Sequence, residues 1–319
     1  MDNKTLNVLE VDQLTRVPAK KECFLRDPFF RESNYQYSQI SKKNKVIRGN
    51  DILYKTSLVI VRPDALILGK AIPALEIIIK LGFKPICFKA KKIDRLMLRE
   101  IWRHSYSQAS IDRILIHERI FSLSNSVVIF FLGPKNSIDY PASVDLSLRK
   151  GSAKKEKQKS TDLRSLLGSP SRYLSLIHIS DEPADVIREM GILFNWSERD
   201  KLIYSLFENV EKENTYNDKI ISTIKKLEKE VIERIKCNNA SCGENQINKC
   251  GIPKGCPVKG NLNKTNLLTV DMLDQEIAEM GCFCNYSRKW ISAVLAGDRI
   301  KSIDPVAPPA IDKFNKFWS

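Results

Sequence analysis

The segment Leu174–Glu189 constrains the fold most, because its hydrophobic periodicity changes from that of a strand to that of a helix around a histidine. Its first half alternates apolar and polar residues and is rich in β-branched types, which predicts a short strand. Pro183 suits the first turn of a helix, with Asp181 as its N-cap. Apolar residues then recur at helical spacing: Val186, Ile187, Met190 and Leu193. We therefore expect His178 near the end of a strand and Glu189 on the following helix.

The pairing of this histidine with a carboxylate has a chemical and a structural interpretation. An imidazole oriented by a carboxylate is the arrangement that a nucleophilic or general-base histidine requires. The structural alternative is a half-buried strand histidine without chemistry. His178 is one of only three histidines in the chain.

Other segments accompany this one in a defined order. A strand at 56–64 is followed by Gly69 and a helix at 71–81, and a second strand spans 82–90. A helix then ends at Tyr106, a strand follows at 126–133, and Arg164-Ser-Leu-Leu-Gly168 precedes the His178 strand. In this order and in these residues, the stretch from about Thr56 to Trp196 resembles the nucleoside diphosphate kinase family.

The resemblance implies an α/β (α+β) fold, with a ferredoxin-like antiparallel sheet and flanking helices. It implies that His178 becomes phosphorylated and that Glu189, eleven residues later, orients the ring. The implied cofactor is Mg²⁺ with ATP or another nucleoside triphosphate, and the partners are a nucleotide, a small-molecule acceptor and further copies of the chain. Six residues match nucleotide- or phosphate-binding positions: Arg62, Tyr106, Arg113, Arg164, Ser180 and Asp181. Tyr106 matches only if Ser105 is an insertion.

The chain also departs from the family pattern. Arg62 replaces a lysine, which exchanges a point charge for a planar fork. Ile179 replaces the glycine after the histidine, and Ser175 replaces an asparagine. Only nine residues separate Gly168 from His178, so a family element that carries a further arginine and a threonine is missing. We therefore expect a specialised acceptor, such as a metabolite of a biosynthetic pathway, or a different nucleotide-dependent transfer on the same scaffold.

Three regions follow from this interpretation: an irregular N-terminal arm at 1–53, the kinase-like region at 54–196, and a helical, cysteine-rich region at 197–319. Residues 134–162 form an insertion with a run of lysines. Such a run is typical of a solvated, mobile loop, and we expect 142–160 to be disordered without ligand. The alternative is a loop that closes over a phosphorylated substrate.

The cysteines of the last region are close together in the sequence. Six of the eight in the chain follow residue 236: Cys237, Cys242, Cys250, Cys256, Cys282 and Cys284. Glycines and prolines lie between them, as in metal-binding knuckles, and four thiolates suffice for a structural Zn²⁺. The spacing differs from that of a standard zinc ribbon, so an iron–sulfur cluster, a redox thiol pair and buried free thiols remain alternatives.

Composition limits the partners and the compartment. The net charge of +14 favours anionic partners. Nucleic acid is not expected, because the lysines are scattered and no aromatic–basic platform is visible. No run is long and apolar enough to span a membrane, and the N-terminus lacks the pattern of a signal peptide, so we expect a cytoplasmic, reducing location. Two other functions stay open: a nucleotide-binding regulatory or scaffold protein without turnover, and a zinc-stabilised module that binds nucleic acid.

Overall fold

A computed structural model describes residues 9–43, 49–134, 140–212, 216–235, 269–279, 284–300 and 311–318. Its centre is a four-stranded sheet of β1 (Thr56–Val61), β2 (Lys84–Lys91), β3 (Ser126–Leu132) and β4 (Ile177–Ile179). The strand order is β2-β3-β1-β4, and every neighbouring pair is antiparallel. This is the order of a ferredoxin-like sheet. The predicted α+β fold class is therefore confirmed.

The two central strands consist of apolar runs that are buried on both faces. All six residues of β1 and all seven of β3 are buried. A continuous apolar run of this length is the pattern of a strand covered on both sides, rather than of one with a solvent face. The short edge strand β4 pairs with β1 so that His178 lies opposite Ile60. The histidine thus lies at the edge of a rigid, buried sheet.

Helices surround the sheet along most of the described chain. Those before β4 are α1 (Val11–Leu14), α2 (Pro18–Arg26), α3 (Pro28–Lys43), α4 (Gly49–Lys55), α5 (Pro63–Ile67), α6 (Ala71–Lys80), α7 (Arg95–Ile101), α8 (Arg103–Tyr106), α9 (Ile111–Leu123), α10 (Ala142–Lys150) and α11 (Leu163–Leu166). Those after β4 are α12 (Pro183–Leu193), α13 (Trp196–Lys212), α14 (Asn217–Ile235), α15 (Val270–Glu279) and α16 (Asn285–Arg299). Short 3₁₀ turns occur at Lys155–Lys157 and Phe314–Lys316.

The prediction of an irregular N-terminal arm was wrong. Residues 11–43 form α1 to α3, and α3 packs along α12, the helix that carries Glu189. Gly191 of α12 permits this close approach, because a Cβ there would collide with the backbone carbonyl of Phe29. Asn34 is buried and bonds to the backbone of Leu9, so polar side chains occupy positions where a helical pattern usually has apolar ones. The N-terminal helices thus support the helix behind the histidine.

The prediction that 142–160 is disordered or mobile was wrong for residues 142–150. Residues 142–150 form α10, which packs against β1, β4 and α12. Val144 and Leu146 are fully buried, so the apolar residues at the start of the segment are sufficient to dock it. The exposed lysines follow this helix, and Lys155–Lys157 form a 3₁₀ turn.

The C-terminal helices pack on the same core. One face of α14 is buried, with Ile220, Ile224, Leu227, Val231 and Ile235. Tyr216, just before α14, donates its N–H to the carbonyl of Pro85 on the edge strand β2. Arg119 of α9 forms an ion pair with Asp274 of α15, so the last helices cover α9. None of the described helices combines the length and hydrophobicity needed to span a membrane. The region boundaries at 53/54 and 196/197 stay predictions.

Candidate functional site

His178 and Glu189 form the contact that the sequence predicted. His178 Nε2 lies 2.8 Å from Glu189 Oε1, and Pro183 begins the connecting helix α12. The N-cap of α12 is Glu182 and not Asp181, because Glu182 and Asp185 form a reciprocal capping box. Glu189 follows His178 by eleven residues. The strand end, the N-cap and the first turns of α12 between them bring the Glu189 carboxylate back to the histidine ring.

This contact determines which ring nitrogen can react. A carboxylate only accepts hydrogen bonds, so Nε2 carries the proton and Nδ1 keeps its lone pair. Nδ1 of His178 has no hydrogen-bond partner among the described residues, and 15% of the side chain is exposed. In the neutral form of the ring, Nδ1 is the nitrogen left available as a nucleophile.

Ser180 holds the carboxylate from its other side. The Ser180 hydroxyl donates to Glu189 Oε2 at 2.6 Å, and Ser180 is fully buried. Its backbone N–H bonds to the carbonyl of Leu58, which ties it to the sheet. Both oxygens of Glu189 are thereby oriented. We refer to His178, Ser180 and Glu189 as the histidine side of the site.

Asp181 is held by the insertion. Its Oδ1 accepts hydrogen bonds from Ser147 Oγ at 2.6 Å and from Lys150 Nζ at 3.1 Å. Burial alone would raise the pKa of Asp181, but Lys150, Lys20 and these hydrogen bonds outweigh it and lower the pKa. Lys150 also donates to the carbonyl of Ile179, next to the histidine. Ser147 and Lys150 were not predicted as site residues, since they lie in the segment that was expected to be disordered.

Trp102 is a further contact that the sequence did not reveal. Its ring lies 4.8 Å from the His178 ring in an edge-to-face arrangement, and 5.8 Å from the ring of His117. Such contacts restrict the rotation of an imidazole. Trp102 ends α7, whose N-cap Asp94 is far from the histidine in the sequence, so no local pattern connects them.

The sheet positions Arg62, but other groups of the protein already accept the hydrogen bonds of its guanidinium. Only 1% of the residue is exposed, and its Nε pairs with Asp64 at 2.9 Å. The other two nitrogens donate to the hydroxyl of Ser175 and to the carbonyl of Tyr173. The phosphate-binding role of Arg62 stays a prediction, and the described geometry ties its whole guanidinium to protein groups.

The Arg62–Asp64 pair shapes the turn that leads into β4. Leu176 has φ +65°, a left-handed conformation that is uncommon for a branched side chain. Its N–H donates to Asp64 Oδ2, and its carbonyl accepts the N–H of Arg62. One hydrogen bond at the N–H and one at the carbonyl of this strained residue thus set the direction in which the chain leads into β4 and His178.

Arg164 is also bound to backbone. Its nitrogens donate to the carbonyls of Gly151, Ile177 and Ser175 at 2.7, 3.3 and 3.4 Å. Burial, and next the charge of Arg62, lower the pKa of Arg164 to about 10, so it remains a cation at neutral pH. Arg164 and Lys150 therefore bind the carbonyls on the two sides of His178 along the free edge of β4.

Tyr106 and Arg113 complete the predicted set. The Tyr106 hydroxyl lies 3.1 Å from Nδ1 of His117, a buried histidine that the sequence analysis did not single out. Burial raises the pKa of Tyr106. Burial, and then the charges of Arg62, Arg113, Arg164 and Arg172, lower the pKa of His117 well below its usual value. The predicted arginines thus gather around His117, and we refer to Arg62, Arg113 and Arg164 as the arginine side.

The predicted metal ligands can be followed at one position only. Cys237, Cys242, Cys250, Cys256 and Cys282 lie outside the described residues. Cys284 precedes α16 and is partly buried. Burial would raise its pKa, but hydrogen bonds with Ser287 and the backbone lower it. Within the described ranges, no group of three or more His, Cys, Asp and Glu side chains could hold a metal ion. The zinc site stays a prediction.

Comparisons with solved structures find similarity to nucleoside diphosphate kinases over 45% of the chain. One is a transition-state mimic of the Borrelia burgdorferi enzyme with bound vanadate and ADP, at 18% identity over 45% of this chain and 88% of that chain, with a TM-score of 0.36. The Aquifex aeolicus enzyme has 20% identity over 45% and 97%, with a TM-score of 0.37. The Halobacterium salinarum enzyme in complex with CDP has 18% over 45% and 89%, at 0.36. No protein-family model and no curated protein sequence matches the chain.

Proposed function

We propose that the protein is a nucleotide-dependent phosphotransferase that acts through a phosphohistidine on His178. The observation that carries the proposal is the geometry of the histidine side. Glu189 fixes the proton on Nε2, Ser180 fixes Glu189, and Nδ1 is left without a described partner. A purely structural histidine does not need its second nitrogen kept unpaired and partly exposed.

The first half-reaction follows from this arrangement. The Nδ1 lone pair of His178 attacks the γ-phosphorus of a nucleoside triphosphate, a P–N bond forms, and the P–O bond to the diphosphate breaks. The diphosphate leaves with the electron pair of that bond. The ring becomes an imidazolium, and Glu189 stabilises its charge through the Nε2–H bond.

The second half-reaction returns the ring to its neutral state. An oxygen of the acceptor attacks the phosphorus, the P–N bond breaks, and its electrons return to Nδ1. Mg²⁺, bound with the nucleotide, would neutralise phosphate charge during both steps. The acceptor is a small molecule, and the short segment between Gly168 and His178 supports a specialised one rather than a second general nucleotide.

A nucleotide-binding regulatory protein without turnover is the second candidate. This candidate is favoured by the hydrogen bonds of the arginine side, because Arg62 and Arg164 already donate to protein oxygens. In that case the site would bind a nucleotide, and the phosphoryl group would not be transferred.

The test is the formation of a phosphoenzyme. The full chain is incubated with Mg²⁺ and γ-labelled ATP, and we expect one acid-labile, alkali-stable phosphate per chain. His178→Ala should abolish the label, while His104→Gln, a change at another histidine outside the histidine side, should retain it. Nucleotide binding with no label on the wild-type protein would favour the regulatory function instead.

A further inference from the structure

A cleft lies beside the arginine side of the site. It has a volume of about 380 Å³ and is lined by residues 154–156 of the insertion, residues 170–173 before β4, and Gly297 and Ile300 at the end of α16. This volume is in the range of small-molecule sites. The insertion and a C-terminal helix, two segments with no counterpart in the motifs around His178, thus build most of its wall.

The cleft is basic. Lys154, Lys155 and Arg172 line it, and Glu156 is the only carboxylate among its lining residues. Both lysines are exposed, and neither forms an ion pair with a described residue. A concave surface with an excess of one charge concentrates ligands of the opposite sign. The net charge of the lining therefore selects an anion.

Tyr173 adds an uncommon feature to the wall. The residue is 3% exposed, and its hydroxyl is buried without a hydrogen-bond partner among the described residues. Its ring lies 5.3 Å from the guanidinium of Arg172. Buried hydroxyls are nearly always paired, so this residue of the cleft wall holds a hydroxyl donor that no described group uses.

The cleft is connected to the site through the backbone of the same tyrosine. The Tyr173 carbonyl accepts a hydrogen bond from Arg62 at 2.8 Å. Ser171 Oγ accepts the N–H groups of Tyr173 and Leu174, which holds this loop in place. The charge of Arg172 also acts on His117, together with that of Arg62. The cleft is therefore next to the arginine side and separate from the histidine side.

We propose that this cleft binds the phosphate groups of a phosphorylated small molecule, with Lys154, Lys155 and Arg172 as the cations and Tyr173 as a hydroxyl donor. The proposal goes beyond the phosphohistidine chemistry and does not depend on it, because binding requires no reaction at His178. The phosphate group could belong to a nucleotide or to a phosphorylated acceptor, and both share this chemistry.

The test is calorimetric titration of the full chain with inorganic pyrophosphate. We expect saturable binding that weakens with salt, and about tenfold weaker binding in the K154A/K155A double variant, since each lost charge-assisted contact has a large effect. The matched control is K157A/K159A, which removes the same charge from exposed positions of the same segment that do not line the cleft. Y173F should weaken binding without loss of stability, because the hydroxyl has no described partner to lose.

Two results would overturn the proposal: the absence of saturable binding, or equal weakening in the two double variants, which would indicate non-specific attraction to a basic surface. His178→Ala should bind pyrophosphate like the wild type, so failure of the phosphoenzyme experiment leaves this test intact. Competition then identifies the source of the phosphate group. Displacement of pyrophosphate by a non-hydrolysable ATP analogue but not by adenosine assigns the cleft to the nucleotide. Simultaneous binding of pyrophosphate and the analogue assigns it to the acceptor.

Discussion

The histidine side and the arginine side of the site both adjoin the strand pair β1–β4, yet their polar groups are satisfied differently. On the histidine side, each bond orients the next group, and the last nitrogen in the series, Nδ1 of His178, has no described partner. On the arginine side, the cations of Arg62 and Arg164 end on protein oxygens. The first arrangement leaves a nitrogen available for the proposed reaction, and the second stabilises the fold around it.

The difference shows that a cation at a position predicted to bind phosphate can be satisfied entirely by groups of the protein. Arg62 lies at the end of the first strand, where the resemblance implies a phosphate contact. Its charge is neutralised by an ion pair with the fully buried Asp64. A guanidinium with several donors can satisfy a carboxylate, a hydroxyl and a carbonyl together, which an ammonium at the same place could not do with the same geometry. The anion-binding capacity of the region then depends on other cations.

The largest effect should come from removal of the buried charge on the arginine side. Arg62→Met leaves Asp64 buried without its partner and removes the support of the Leu176 turn, so we expect a loss of about 3–5 kcal/mol in the free energy of unfolding. Urea denaturation measures it, with Arg113→Met as the comparison on the same side. A variant that unfolds like the wild type but no longer binds nucleotide would reverse the comparison and make Arg62 a ligand-binding residue.

The second effect is on the histidine side. Glu189→Gln keeps an oxygen that can accept the Nε2–H bond but loses the negative charge that stabilises the imidazolium. We expect phosphoenzyme formation to slow by roughly 10²-fold with little change in stability. The measurement is single-turnover labelling with ATP, and Glu76→Gln on the exposed face of α6 is the matched control. If both variants label at the wild-type rate, Glu189 has no part in the reaction.

Local periodicity predicted the elements that define this contact. The strand with His178 and the helix with Glu189 were predicted because each has a clear apolar pattern and because proline marks the helix start. The helical arm at 11–43 was not predicted, since buried polar residues such as Ser33, Asn34 and Gln36 interrupt its apolar pattern. Buried polar groups need partners elsewhere in the chain, and these partners are known only from the folded structure.

The same reason explains which site residues were missed. Trp102, His117 and Lys150 reach the site through tertiary packing across separations of 30 to 80 residues, and none of them belongs to a local motif. Of the predicted positions, Arg62 and Arg164 both donate to Ser175, and Tyr106 lies beside His117. Their hydrogen-bond partners decide their roles, and a single sequence does not contain that information.

The third prediction concerns the pH dependence of stability. The folded-state pKa of His117 is depressed by burial and by the neighbouring arginines, so its contribution to stability is present above the unfolded-state pKa of about 6.5 and is lost as the pH falls below that value. The free energy of unfolding should therefore fall as the pH is lowered from 6.5 to 5. Burial lowers the pKa of His104 to about 4, which acts in the same direction.

Measurement of this pH dependence of stability distinguishes the arginine side from the histidine side. Unfolding free energies at pH 7.5 and pH 5 are compared for the wild type and His117→Gln, and the variant should lose much of the difference. His178→Ala serves as the control on the other side. An unchanged pH dependence in His117→Gln would mean that the charges of the arginine side do not act on the buried histidine.

The smallest effect should come from Ser180→Ala. Its hydroxyl donates to Glu189 Oε2 at 2.6 Å in a fully buried position, so the substitution leaves one carboxylate oxygen without a partner and costs about 1–3 kcal/mol of stability. The carboxylate can still accept the Nε2–H bond, but it is free to rotate, and we expect labelling to slow by roughly tenfold or less. Ser180→Thr, which retains the hydroxyl, should recover the labelling rate if its extra methyl is accommodated. A loss in Ser180→Ala as large as in Glu189→Gln would show that the orientation of the carboxylate, rather than its charge, dominates the histidine side. A rate equal to that of the wild type would show that α12 and its contacts with the N-terminal helices hold Glu189 without help from the serine.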